Sequence, residues 1–380
     1  MRIADYQIDA DITLAATLPG TFYHDADAYS LARERVFART WQWLGDLNDV
    51  ADVGRLSPRN LLPGLLNEPL LLARDSENAL RCLSNVCTHR GNILVKEACR
   101  AARIRCAYHS RRFDLTGRMT FMPEFKEAKN FPTAADNLPN IPFGEWCGHG
   151  FAALKPLASL EDFLGAMKAR MHWLPLEKFT FDAASSRDYV IDAHWALYVE
   201  NYLEGFHIPH VHAGLNEAID YGSYTTELQR YSSLQLAFAN DGARAFARHA
   251  DDTHADGRRV AAYYWWIFPN LMLNFYPWGL SLNLVQPEAI NRTRVAFRTY
   301  LWDSNLLDAS AAATLHQTEM EDEAIVKAVQ RGTASRFYGN GRYSPTREQG
   351  THHFHRLLCE FLQGPATRAS AGALMELGES

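Results

Sequence analysis

With 380 residues, 47% of them hydrophobic, the chain is long enough for one large or two ordinary domains around a sizeable core. A formal net charge of -6 without a dense Lys/Arg block argues against a general nucleic-acid surface and leaves small molecules or proteins as partners. Six cysteines in a chain this long do not make a disulfide framework, and Met1 to Tyr6 is acidic and polar where a secretory leader needs an apolar run, so a cytoplasmic location is expected.

Residues 21 to 47 set Tyr29, Leu31, Val36, Phe37, Trp41 and Trp43 among charges, which predicts an amphipathic helix running into a strand. Short apolar runs such as Leu61-Leu62, Leu70-Leu71-Leu72 and Ile104-Arg105-Cys106, broken by Gly64, Gly91, Gly117 and Pro142, then predict a small β domain over 42–156. Four of the cysteines (Cys82, Cys99, Cys147 and Cys359) read as reduced thiols. The other two lie in the most specific pattern of the chain: Cys87-Thr88-His89, sixteen residues, then Cys106-Ala107-Tyr108-His109. One Cys and one His on each of two loop tips suit a Rieske [2Fe–2S] cluster, with two thiolates on one iron and two imidazoles on the other. Zinc in a Cys2His2 site is the alternative, although its finger arrangement pairs Cys with Cys and His with His along the sequence.

A helix is expected to start at Leu157, and residues 170–182 to link into a second domain occupying 157–380. There the order reads strand near Tyr189, helix from Trp195 to His207, strands over 221–302, a long helix over 305–331 and a last one over 347–363. Helices held to the ends of a largely antiparallel sheet give an α+β class. Within this half, Asn201-Tyr202-Leu203-Glu204-Gly205-Phe206-His207-Ile208-Pro209-His210-Val211-His212 reads as half of an iron site. Glu204 and His207 stand three apart and would share a helical face, while Pro209 should distort the next turn and let His212 swing beside His207. Two imidazoles and a distant carboxylate make a facial triad with positions open on Fe(II).

The window Tyr263 to Leu284 is the most apolar, but Pro269, Asn270, Asn274, Pro277, Gly279 and Asn283 interrupt it, which argues for buried strands and against a membrane span. Alternation sends Tyr263 and Trp265 to one face and Tyr264 and Trp266 to the other, and Tyr276 and Trp278 repeat the pattern. Tyr263, Trp265, Tyr276 and Trp278 are taken as the wall of a cavity; filling the sheet core is the plainer alternative. On the long helix, Leu307, Ala311, Leu315, Thr318, Ile325 and Val329 fall within an arc of about 80°, with Asp322 inside it, Glu319 and Glu323 outside and Glu321 at its edge. A carboxylate on a core-facing stripe wants a metal or a hydrogen-bond partner, so Asp322 is the expected third ligand.

Cys87-Thr88-His89-Arg90-Gly91 with Cys106-Ala107-Tyr108-His109 resembles the Rieske domain of the Rieske non-haem iron oxygenases of the alpha-subunit type, and residues 201–212 resemble their catalytic iron motif. Similar words stand at Leu18-Pro19-Gly20-Thr21-Phe22-Tyr23, Arg39-Thr40-Trp41, Phe268-Pro269-Asn270 and Val329-Gln330-Arg331-Gly332, and the Glu-Asp pair at 321–322 matches the family's carboxylate position. The second cluster half departs from the frequent Cys-Pro-Tyr-His-Gly-Trp at Ala107, Ser110 and Arg111. The resemblance implies a helix-grip-like catalytic domain behind the Rieske domain, with residues 1–41 packed on the catalytic domain. It implies Cys87, His89, Cys106 and His109 as cluster ligands, and His207, His212 and Asp322 as iron ligands. A separate flavin and iron–sulfur reductase would bring NAD(P)H electrons, with O2 as co-substrate, in a homotrimer.

The resemblance also implies that Glu204 bridges the cluster histidine of one subunit to the iron-ligand histidine of the next; a solvated helix acid is the plainer reading of that residue. Glu204 and Asn201, expected to serve catalysis, sit in a version of the motif that looks like the choline, carnitine and betaine oxygenase branch. Hydroxylation or oxidative N-demethylation of a small quaternary ammonium compound is therefore expected. Aromatic ring hydroxylation is the alternative, and an electron carrier without oxygenase activity is the alternative of another class.

Overall fold

The computed structural model describes residues 6–246, 257–303, 305–306 and 309–364. Met1 to Asp5 and Leu307, each of which carried an expectation above, lie outside the described residues, as do residues 365–380 of the expected second domain and the side chain of Ala311. The chain divides into two units, one of residues 38–161 and one of residues 1–37 with 162–380. No helix among the described residues is long and apolar enough to cross a membrane.

In chain order, α1 (Ala26–Arg35) begins at Asp25, whose carboxylate accepts from the N–H groups of Asp27 and Ala28 and so satisfies two donors that a helix start leaves free. The smaller unit then holds three antiparallel sheets. β1 (Gln42–Asp46) pairs with β10 (His149–Ala152), which pairs with β9 (Phe143–Trp146). β2 (Arg55–Leu61) lies between β3 (Glu68–Arg74) and β5 (Cys99–Arg100), and β4 (Leu80–Ser84) flanks β3. β6 (Ile104–Arg105), β7 (Arg112–Phe113) and β8 (Met119–Phe121) form the third; Cys87 and His89 lie on the loop between β4 and β5, and Cys106 and His109 on the loop between β6 and β7. Strands this short bury little each. The unit is held by apolar clusters gathered from several sheets, such as Leu56, Leu71, Leu83, Ile104 and Phe113.

α2 (Leu160–Met171) leads into the larger unit, with β11 (Thr180–Ile191), α3 (Trp195–Tyr202), α4 (Ile208–Val211) and α5 (Ala213–Ala218). β12 (Thr225–Leu228), β13 (Ser232–Phe238), β14 (Val260–Ile267), β15 (Leu271–Tyr276), β16 (Gly279–Ala289) and β17 (Arg292–Leu301) follow, then α6 (Ala309–Thr333) and α7 (Gln349–Gln363). The seven strands make one antiparallel sheet in the order β11-β17-β16-β15-β14-β13-β12. Its middle strands are buried on both faces, which is why the Tyr263–Leu284 window reads as nearly continuous apolar sequence.

α3 packs against both α6 and α7. The approach to α7 is close: a Cβ built on Gly350 would stand 2.3 Å from the Leu203 carbonyl oxygen, so only glycine fits there. His194 starts α3, its buried Nδ1 accepting from Ala196 N at 3.2 Å, while its own N–H donates to Gln330 Oε1 on α6 at 2.8 Å. Two structural expectations need correction. The helix from Trp195 stops at Tyr202 and does not reach His207. On α6, Ile325 and Val329 are exposed, whereas Glu319, Glu323, Val326, Gln330 and Thr333 are buried at helical spacing. A wheel scored on apolarity misses that stripe because its polar members are hydrogen-bonded: Glu319 to Tyr198, Glu323 to Lys327 and Gln330 to His194.

Candidate iron centres and substrate cavity

The two Cys–His loops are near copies of one turn. Cys87 N donates to Asn92 O and Gly91 N to Cys87 O; Cys106 N donates to Arg111 O and Ser110 N to Cys106 O, all between 2.8 and 3.1 Å. Residues 91 and 110 occupy the same place, and both have positive φ, 71° and 59°. Ser110 therefore holds a conformation that glycine adopts without steric cost. The loops bring the His89 and His109 rings to 4.8 Å between centroids, with Nδ1 of each buried and without a hydrogen-bond partner among the described residues. Cys87 and Cys106 are buried and free.

Burial raises the Cys87 thiol, and the Arg111 charge opposes it. At Cys106 burial also raises the thiol, but the N–H groups of Tyr108 and His109 outweigh it and favour the thiolate, and Asn92 Nδ2 lies 3.6 Å from Sγ. Orphaned imidazole nitrogens beside two free buried thiols are the donor set a Rieske cluster takes. The residues fit the group.

In the larger unit, α3 carries Tyr198, Asn201 and Tyr202 at i, i+3 and i+4, so one helical face turns all three to a cavity of about 500 Å³. The chain then leaves the helix. Glu204 and His207 share a loop and not a helical face, because Glu204 Oε2 accepts the backbone N–H groups of Phe206 and His207, a local alternative to helix hydrogen bonding. Gly205 is needed in that loop, where a Cβ would stand 2.8 Å from the Tyr224 ring. Pro209 sits in the first turn of α4, where a missing N–H costs nothing, and α4 ends at His212.

His207 Nε2 and His212 Nε2 are 3.1 Å apart, and Asp322 Oδ1 lies 3.4 Å from the first and 3.0 Å from the second. His207 Nδ1 donates to Glu204 Oε1 at 2.6 Å and His212 Nδ1 to Glu321 Oε2 at 2.8 Å, so carboxylates behind the rings fix both tautomers with Nε2 inward. Burial alone would depress His207, but hydrogen bonds to Asp322 and Glu204 carry it to about 9. Burial would likewise raise Asp322, and the two imidazoles hold it below the usual carboxylate range. Three donor atoms crowded at one point, the two imidazoles braced from outside, fit a divalent cation with open positions.

The cavity wall is a row of cross-strand partners, Gln235, Tyr264, Asn274 and Ser281, each directly opposite the next across β13 to β16. Tyr276 and Trp278 line it, their rings stacked 5.0 Å apart at 12°. Tyr263 and Trp265, expected in the wall, do not line it. The register gives the cavity face to Tyr264, whose ring meets Tyr276 at 5.8 Å, while Tyr263 packs among Trp173, Phe246 and Arg170. Alternation defined the two faces but could not say which one looks inward.

Sequence reasoning also missed three residues. Glu321 braces His212; Glu319, buried in the wall, accepts from Tyr198 at 2.7 Å while Oε1 has no partner among the described residues; Arg244 is the one Lys or Arg lining the cavity among the described residues. The spacing of Glu319 from Asp322, one turn along α6, was the available signal.

Residues 172–364 match the family described as ring hydroxylating alpha subunit (catalytic domain), and residues 41–132 match the Rieske [2Fe-2S] domain. The chain is 27% identical over 379 residues to the chloroplastic choline monooxygenase of Arabidopsis thaliana, covering 94% of this chain and 85% of that protein. It is 27% identical over 360 residues to the carnitine monooxygenase oxygenase subunit of Escherichia coli K12, covering 91% and 94%. The fold superposes with a TM-score of 0.75 and 21% identity on a quaternary ammonium Rieske monooxygenase described for carnitine oxidation by gut microbiota and inter-subunit electron transfer, covering 94% of this chain and all of that one.

Proposed function

The chain belongs to the ring-hydroxylating alpha-subunit family, with a Rieske [2Fe-2S] domain ahead of the catalytic domain, and from that premise we propose that it oxidises a small quaternary ammonium compound of the choline, carnitine or betaine kind. It is an oxidoreductase that uses a [2Fe–2S] cluster and a mononuclear iron, supplied with electrons by a separate reductase. Cys87, His89, Cys106 and His109 would hold the cluster, and His207, His212 and Asp322 the iron. The bound iron supplies O2 activation, so that one O2, two electrons and two protons yield a hydroxylated substrate and water; hydroxylation on an N-methyl carbon leads to loss of that methyl as an aldehyde.

The chain's own residues do the rest. Glu204 and Glu321 orient the imidazoles. Asn201 and Tyr202 stand on the α3 face toward the cavity, where Tyr202 OH donates to Asn274 Oδ1 at 2.6 Å and fixes the polar row of the wall. Glu204 also keeps the place of a bridge to the cluster of a neighbouring subunit in a trimer. Support for that reading is its 2.6 Å contact to His207 and the inter-subunit electron transfer described for the related monooxygenase. Expected partners are a flavin and iron–sulfur reductase drawing on NAD(P)H, in the cytoplasm.

The observation that carries the substrate class is the placement of aromatic faces in the same cavity as the His207, His212 and Asp322 donors. A cation is attracted to a ring quadrupole by about 0.5–2 kcal/mol per contact. Because Tyr276 and Trp278 stack on each other, a ligand meets one outer face of that pair, and Tyr264 offers a second. Two faces give about 1–4 kcal/mol, or roughly fivefold to several hundredfold in affinity. Binding of each ammonium compound against its neutral tert-butyl analogue tests this. A preference in that range is expected, and equal affinities would turn the reading toward aromatic ring hydroxylation.

A further inference from the structure

The second cluster loop carries Ser110 and Arg111 where glycine and tryptophan often stand, and Arg111 is not released to solvent. Its side chain is 2% exposed and makes an ion pair with Asp136 Oδ1 at 2.5 Å. The guanidinium carbon lies 5.8 Å from the centroid of Phe113 and 5.6 Å from that of Phe131, and Nε is buried without a hydrogen-bond partner among the described residues. The charge is tied to both cluster loops. Arg111 O accepts from Cys106 N at 2.8 Å, and Arg111 Nη2 shares the Asp136 carbonyl oxygen with Thr88 Oγ1, at 3.4 and 2.7 Å; Thr88 stands between Cys87 and His89.

Asp136 sits farther out, its side chain 20% exposed and engaged with Thr133 N at 2.7 Å. The pair is thus polarised, its cation inward and its carboxylate toward water. Desolvation makes such a fixed charge count for more than one on the surface. Reduction of the cluster takes one electron from the reductase and adds one negative charge, with no bond broken. A buried cation stabilises that reduced form.

Resting on the assignment of Cys87, His89, Cys106 and His109 as cluster ligands, we infer that Arg111 is a fixed internal charge that raises the reduction potential of the cluster, with Asp136 as the counter-charge that limits the rise. Burying an arginine is otherwise costly, and packing the same space with an apolar side chain would hold the loop as well.

The test is a redox titration of the iron-loaded full-length protein, read by the electron paramagnetic resonance signal of the reduced cluster, for the wild type, Arg111→Met, Arg111→Lys and Asp136→Asn. Arg111→Met should lower the reduction equilibrium about tenfold, which is about 59 mV for one electron. Arg111→Lys should stay near the wild type. Asp136→Asn should move it the other way, by a smaller factor because that carboxylate is partly hydrated. Opposite signs for removal of the cation and removal of the anion separate a charge effect from loop support, which would move both the same way.

An unchanged potential in Arg111→Met, or a fall in Asp136→Asn, overturns the inference. If Arg111→Met loses its cluster, the pair Arg111→Lys and Asp136→Asn decides on the same terms. A wild type without a Rieske signal refutes the ligand assignment itself, whereas a normal signal with flat potentials refutes only the role of Arg111.

Discussion

Removing the brace behind His212 should weaken the mononuclear site without touching the cluster. Glu321 Oε2 accepts from His212 Nδ1 at 2.8 Å and Oε1 accepts from Gln317 Nε2 at 2.8 Å, so the carboxylate is aimed by a neighbour one turn back on α6. A hydrogen bond to a charged group contributes about 1.5–3 kcal/mol, and losing such an outer partner costs roughly 10- to 100-fold in metal affinity. Glu321 is 30% exposed, which places the effect of Glu321→Ala toward the lower end, about tenfold. Glu321→Gln keeps an acceptor oxygen and should lose only a few-fold. Fe(II) affinity measured anaerobically against a chelator, with the visible absorption of the cluster as an internal control, gives both numbers. Unchanged affinity in Glu321→Ala, or parallel loss of the cluster, would refute the reasoning.

Asp322→Ala should lower iron from three atoms per chain to two, with the cluster spectrum intact; retention of the third iron with loss of the cluster would show that α6 does not serve the mononuclear site. Glu204→Gln should leave both centres filled yet stop turnover, because an amide oxygen can still accept from His207 Nδ1 while the charge of the proposed bridge to the neighbouring subunit is lost; the reduced cluster should persist beside substrate and O2. Wild-type turnover there would remove Glu204 from electron delivery. Burial depresses His194 to about 3, so the folded protein keeps it neutral while the unfolded chain takes up a proton below its ordinary value of 6.5. Stability from this group is whole above pH 6.5 and falls as pH drops toward 3, by about 2 kcal/mol at pH 5. Denaturant midpoints at pH 7 and 5 should converge in His194→Asn, where Asn can keep the cap of α3, and an undiminished pH slope in that variant would contradict the assignment.

Both candidate iron sites were legible because the chemistry they fit fixes residue types at short spacings: the Cys–x–His halves, and His207 five residues before His212. Asp322 was reachable because it neighbours Glu319 and Val326 of the buried stripe, even though Ile325 and Val329 of the expected stripe are exposed. What escaped depends on long-range pairing. Neither Glu321 nor Glu319 can be ranked among four nearby acids without knowing that His212 and Tyr198 face them. The choice of Tyr264 over Tyr263 is set by β-sheet register against β13 and β15, and a one-residue shift exchanges the faces. The helix from Trp195 was read too long because Glu204 caps its own loop, a competition that propensity and spacing do not reveal.

The proposed reaction is oxidation of a quaternary ammonium compound at the site of His207, His212 and Asp322. Substrate-dependent NADH and O2 consumption, with a matched flavin and iron–sulfur reductase, measures it directly when choline, carnitine and betaine are set against neutral isosteres and aromatic acids. Coupled consumption with at least one ammonium compound, abolished in Asp322→Ala, is the predicted result; coupled turnover confined to aromatic acids would contradict it.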